Sequence, residues 1–157
     1  MKNILIPTNY RYDTLHAMKK ALWAAGTESR DIILVSFSPL PGSLAESLFL
    51  TREEIESDRQ SILMQQWDRL QELTEHAVTI RHHHQYGSSR ALLTQIIERF
   101  GVGQVIIPFS FQHTDKSAEQ KAFQEVTRFS ITTVLMPARS KEENAELYPV
   151  GREAVAR

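Results

Sequence analysis

Short apolar runs alternate along the chain with longer stretches in which apolar residues recur every three or four positions. The runs are Ile4-Leu5-Ile6-Pro7-Thr8, Ile32-Ile33-Leu34-Val35-Ser36-Phe37, a third opened by Ala77-Val78-Thr79-Ile80, then Val105-Ile106-Ile107-Pro108 and Thr132-Thr133-Val134-Leu135-Met136. Several are apolar almost throughout, the pattern of parallel strands covered on both faces. Between them, Leu15, Met18, Leu22 and Ala25 keep a helical period. Thr51 with Glu54 forms a capping-box signature ahead of a stripe of Ile55, Ile62, Leu63, Trp67 and Leu70. Ser88 or Ser89 can cap a helix carrying Leu92, Leu93, Ile96, Ile97 and Phe100 and closed by Gly101, and Ala118, Ala122, Val126 and Phe129 mark a fourth helix. Trp23 and Trp67 fall in helical stripes and are expected in the core or at a helix interface.

Strand–helix repeated four times and ended by a strand predicts an α/β fold, a three-layer open sheet of five parallel strands with helices on both faces. Two segments stand outside the pattern. One is the loop from Ser38 to Leu50, whose Ser43–Phe49 stretch is apolar enough to dock onto something, its own domain being the plain answer. The other is a polar tail over 138–157, expected to be mobile beside a domain over 1–137.

Composition narrows the function classes. The 157 residues suit one domain, and 41% hydrophobic with 24% charged residues suits a globular one. Eighteen Lys and Arg against nineteen Asp and Glu leave no excess positive field for a nucleic-acid backbone. The absence of cysteine excludes disulfides, thiolate catalysis and Cys-ligated zinc. The first apolar run is too short for a signal-peptide core, and no run approaches the ~18 apolar residues of a membrane span. A cytoplasmic protein without a membrane partner is the expectation.

The order and spacing of these elements resemble the universal stress protein family, within the adenine-nucleotide α-hydrolase-like folds. The opening Met1-Lys2-Asn3-Ile4-Leu5-Ile6-Pro7-Thr8 is similar to that family's first strand. Gly87 matches the glycine after its third strand, and Val105-Ile106-Ile107 and Val134-Leu135-Met136 sit where its fourth and fifth strands would. The resemblance covers about Met1 to Pro137 and implies the strand order 3-2-1-4-5. Ligands of open α/β sheets bind where strand order reverses, beyond the strands' carboxyl ends. That crevice would be lined by Pro7, Thr8, Asn9 and Tyr10 on one side. Pro108, Phe109, Ser110, Phe111, Gln112 and His113 would line the other.

The nucleotide-binding branch of the family carries an aspartate after strand one and a glycine-rich loop after strand four. Here Asn9 stands in place of the aspartate, and Phe109-Ser110-Phe111-Gln112 replaces the first glycine pair. No glycine occurs from Gln104 to Val150. A phosphate cradle needs several successive N–H groups turned to the anion and close backbone approach, which glycine supplies. The family-typical ATP mode is therefore expected to be lost, with Phe109 and Phe111, sharing one face as alternate strand-end residues, filling the pocket or forming an apolar contact surface.

Other candidate chemistry competes with plainer readings. His82 and His84 share one strand face and could chelate zinc, nickel or copper, with His83 on the other face. No third ligand is near in sequence, and polar residues that blunt an edge strand explain the run better. His113 with Asp115 could do acid–base work, but no nucleophile is placed by any motif, so a solvated loop pair is preferred. Ser88, Ser89 and Arg90 could bind an anion at a helix start, although a serine cap suffices. No metal or other cofactor is expected.

The resemblance further implies dimerisation through the fifth strand. Thr132, Thr133, Val134, Leu135 and Met136 are uncharged, a poor design for a bare edge, and pairing with a second copy would remove it. The expectation is a universal-stress-protein-like homodimer acting as a binding or scaffold module in stress response, with a possible protein partner, not as an enzyme. Two alternatives stay open: a nucleotide- or small-ligand-binding stress protein with a remodelled pocket, and a hydrolase using His113 and Asp115.

Overall fold

The computed structural model describes residues 3–25, 30–39, 59–69 and 78–138. In chain order these form β1 (Asn3–Pro7), α1 (Asp13–Ala25), β2 (Asp31–Ser38), a helix α2 over 59–69, and β3 (Thr79–Tyr86). There follow α3 (Arg90–Arg99), β4 (Val102–Ile107), a single turn α4 (Phe109–Gln112), α5 (Ser117–Val126) and β5 (Thr132–Leu135). The strands make one sheet in the order β3-β2-β1-β4-β5, and every pair is parallel. The capping-box pair Thr51 and Glu54, the stripe ends Ile55 and Leu70, the Ser43–Phe49 stretch and the tail from 139 lie outside the described residues.

Strand alternation divides the core into two layers. Ile4 and Ile6 of β1, Ile32 and Leu34 of β2, and Ile106 of β4 face α1 and α2, where they meet Leu15, Met18, Leu22, Leu63 and Trp67. Leu5, Ile33, Val35, Phe37, Val105 and Ile107 face the opposite side and pack on Leu93 and Ile96 of α3 and Ala122 and Val126 of α5. The central strands are buried on both faces, which is why they read as unbroken apolar runs. At the amino end of the sheet Asn3 clamps three segments: its Nδ2 donates to Phe100 O at 2.8 Å, and its Oδ1 accepts from Asp31 N at 3.0 Å.

Two aromatic and aliphatic expectations need correction. Trp23 is 59% exposed, with the Lys19 ammonium 4.7 Å from its ring centroid, while Trp67 is buried. Each helical residue turns about 100°, so Trp23, one position past buried Leu22, is carried off the core stripe. Ile62 is 51% exposed for the same reason, one position before buried Leu63.

Gly87 joins β3 to α3 with φ of 82°, a backbone that side-chain-bearing residues avoid, and its N–H donates to Ser38 O at 2.8 Å. At the other end of α3, Gly101 has φ of 59° as the chain turns into β4. These two turns carry the chain from β3 at one edge of the sheet to β4 on the far side of β1.

Candidate functional site

The crevice begins where β1 and β4 part company. Beyond Pro7 the first strand stays with β2, because Thr8 N donates to Val35 O at 2.9 Å. Beyond Ile107 the fourth stays with β5, because Met136 N donates to Ile107 O at 3.0 Å. The two central strands thus follow opposite neighbours, and a gap opens between residues 8–10 and 108–110. This is the switch point at which open α/β sheets present their ligand sites.

The β1 side is pinned by its own side chains. Thr8 Oγ1 lies 2.9 Å from Thr14 Oγ1 and accepts from Tyr10 N at 2.8 Å. Asn9 Oδ1 accepts from Arg11 N at 3.1 Å. These short-range turns hold Tyr10 at φ of 57°, the one side-chain-bearing residue with a positive φ among the described residues. Such a conformation costs of order 1–3 kcal/mol and persists only where neighbours enforce it. Tyr10 is turned toward β3, its hydroxyl 3.3 Å from His82 Nδ1.

On the β4 side the chain does not continue as a strand. Pro108, with φ of −60° and ψ of 150°, starts α4, and its carbonyl accepts from Phe111 N and Gln112 N at 3.1 and 3.2 Å. In a helical turn, residues two apart lie about 200° round the axis. Phe109 and Phe111 therefore do not share a face, contrary to the strand-end expectation. Phe111 is fully buried in the α3/α5 layer, its ring centroid 6.2 Å from that of Phe37. Phe109 is half-exposed and lies on His113, with centroids 4.4 Å apart. Gln112 points back to the sheet, where its Nε2 donates to Ile107 O at 3.0 Å and to Met136 O at 2.9 Å.

What crosses the gap is a polar cluster. Ser110 Oγ donates to Asp13 Oδ1 at 2.6 Å and lies 3.3 Å from Asn9 Oδ1. The backbone N–H of Ser110 donates to Asp13 Oδ2 at 2.6 Å. The carboxylate of Asp13 thereby takes a free N–H just after β4, a group that would otherwise face an incoming anion. Of the residues expected to line the crevice, Asn9 and Ser110 are brought together; Thr8, Tyr10, Phe111 and Gln112 are engaged elsewhere. Asp13 is absent from the residues expected there. Its signal in the sequence is modest: an acid opening α1, four residues after Asn9.

The remaining candidates separate. Ser89 caps α3 and accepts from Leu92 N at 3.3 Å, Ser88 is buried, and the Arg90 guanidinium stacks on Phe129, 4.6 Å from its centroid. His113 and Asp115 share no hydrogen bond or ion pair, and the His113 ring is taken up by Phe109. On edge strand β3, His82 and His84 do share a face, but each ring nitrogen nearest the sheet is spent on a neighbour. His84 Nδ1 is 2.6 Å from Ser36 Oγ, and His82 Nδ1 faces Tyr10. Partial burial lowers the His82 pKa from the ordinary imidazole value, which favours its neutral form. His83 turns the other way, edge-on to Phe100.

A second feature adjoins this end of the sheet on the α1/α2 side. A cavity of about 180 Å³ lies between the Tyr10-Arg11-Tyr12 segment and Arg59, Ile62, Leu63 and Gln66 of α2. No sequence motif points to it, because its two walls come from segments some fifty residues apart.

No protein-family model and no curated protein matches the sequence. Solved structures do match. A universal stress protein family member from Burkholderia pseudomallei aligns with a TM-score of 0.58 at 14% identity, covering 87% of this chain and 96% of that one. A universal stress protein crystallised in complex with cAMP aligns with a TM-score of 0.50 at 11% identity, over 88% and 97% of the two chains. A hypothetical protein whose biochemical function was assigned from its structure aligns with a TM-score of 0.51 at 16% identity, over 88% and 97%. The chain has the universal stress protein fold, with the strand order that the resemblance implied.

Proposed function

We propose that this chain is a binding or scaffold module of the universal stress protein type, and that it does not hold ATP in the family-typical way. The observation that carries the reading is the Asp13 carboxylate on the Ser110 amide and hydroxyl, both at 2.6 Å. A phosphate at that place would have to displace a carboxylate that already has its hydrogen bonds. It would also meet that charge at short range, and like charges within ~4–6 Å disfavour one another. The absence of glycine between Gln104 and Val150 removes the backbone freedom with which a cradle could form around the anion instead. A thermal-shift panel of Mg-ATP, ADP, AMP and cAMP tests this. A ligand at ~100-fold its Kd stabilises the native state by ~2.7 kcal/mol. The expected result is no shift at millimolar ATP, and a saturable upward shift would refute the reading.

The scaffold part of the proposal rests on β5. Among the described strands it pairs only with β4, its residues Thr132–Leu135 carry no charge, and Leu135 is 52% exposed. An edge of this kind invites a second copy, and pairing across a two-fold axis would cover it. Light scattering behind size-exclusion chromatography at micromolar concentration should give about twice 18.0 kDa. Leu135→Lys, which places a charge on the edge, should give a monomer. A monomeric parent chain would remove the dimer from the account and leave the crevice argument standing.

A further inference from the structure

We infer that the cavity between the β1–α1 segment and α2 is a binding site for a small single-ring aromatic acid. This deepens the binding-module reading by naming a ligand class, and it does not depend on how the switch point treats ATP.

Size comes first. At about 180 Å³ the cavity falls below the ~300–1,000 Å³ of sites for drug-sized ligands and close to the ~150 Å³ that accommodates a benzene ring. One ring with a small substituent fits; a nucleoside triphosphate does not.

Charge comes second. Arg11 and Arg59 both line the cavity, and among the described residues no aspartate or glutamate does. Among the same residues neither guanidinium makes an ion pair or side-chain hydrogen bond. Two arginines lining a mainly apolar wall, with no carboxylate among its described lining residues, complement an anion, and the guanidinium fork suits a carboxylate in particular.

The walls supply the rest. Tyr10 and Leu63 are buried at the back, while Tyr12 and Ile62, 62% and 51% exposed, form the rim. Such exposure is unusual for large apolar side chains that share one cavity, and a flat ring would cover them. Tyr10 reaches this wall through its left-handed backbone, with its hydroxyl at 3.3 Å from His82 Nδ1. Backbone strain that positions a cavity-lining aromatic is the kind that neighbouring contacts are spent to maintain.

The test uses sodium benzoate as probe, benzyl alcohol as its neutral counterpart and inorganic phosphate as the ringless anion, read by amide chemical-shift titration of the full chain. Benzoate is expected to give saturable shifts at millimolar concentration or below, centred on Tyr10, Arg11, Tyr12 and Gln66. Benzyl alcohol and phosphate should each bind about tenfold more weakly, the loss expected for removing a charged contact or the ring. Arg59→Met and Arg11→Met, neither at a buried position, should each weaken benzoate by about tenfold with an unchanged urea midpoint. No saturable benzoate shift, equal binding of benzyl alcohol or phosphate, or unaltered affinity in both variants would overturn the inference. Because these variants leave Asp13 and Ser110 untouched, the ATP panel tests the switch point independently.

Discussion

Phe111→Ala should cost about 3–5 kcal/mol of folding stability, the range for truncating a fully buried phenylalanine. Its side chain is 0% exposed and sits among Leu5, Val35, Phe37, Ile107 and Ala122, so its removal leaves a cavity with little to collapse into it. Against a total of ~5–15 kcal/mol for a typical domain, that loss would be visible as a large drop in the urea midpoint. The result separates two pictures of the segment after β4. If Phe111 stood in the switch-point crevice as a plug, truncation would open a solvent-filled pocket and cost under about 1 kcal/mol, as for surface-side changes. The core position demands the larger value.

Asp13→Ala should destabilise by about 2–3 kcal/mol, since it removes two charge-assisted hydrogen bonds and leaves the Ser110 N–H without its acceptor. Ser110→Ala should cost less, about 1 kcal/mol, because the backbone bond to Asp13 survives. Asp13→Asn should fall between them, as the amide keeps one oxygen acceptor and loses the charge. Urea unfolding of the three variants gives the order directly. An Asp13→Ala loss below about 0.5 kcal/mol would mean that the carboxylate is held no better than an exposed surface group. The bridge across the crevice would then be too weak to keep an anion out.

Much of the fold is readable from the sequence, for a physical reason that also limits what else can be read. Central strands buried on both faces, such as Ile32–Val35, leave uninterrupted apolar runs, and helices on one side leave stripes like Leu15, Met18 and Leu22. These are local signals. Trp23 and Ile62 mark their limit, since a residue one step off a stripe looks apolar whether or not the helix buries it.

The candidate site is legible only in part. Its location follows from the strand order, and Asn9 and Ser110 are among the residues expected there. The group that joins them is not, because Asp13 and Ser110 are 97 residues apart and meet through the register of β1 against β4. The sense of the Phe109–Gln112 segment is hidden for a related reason. Phe-Ser-Phe reads as an alternating strand end, and only the start of a helical turn at Pro108 sends the two rings in opposite directions. The cavity beside α2 has no local signature at all.

One structure determination bears most directly on whether the switch point is closed by its own carboxylate: crystals grown with millimolar Mg-ATP. The Asp13 oxygens should remain about 2.6 Å from the Ser110 N and Oγ, with no nucleotide between Asn9 and Ser110. A triphosphate on the Ser110 amide, with Asp13 swung out of the crevice, would contradict the account.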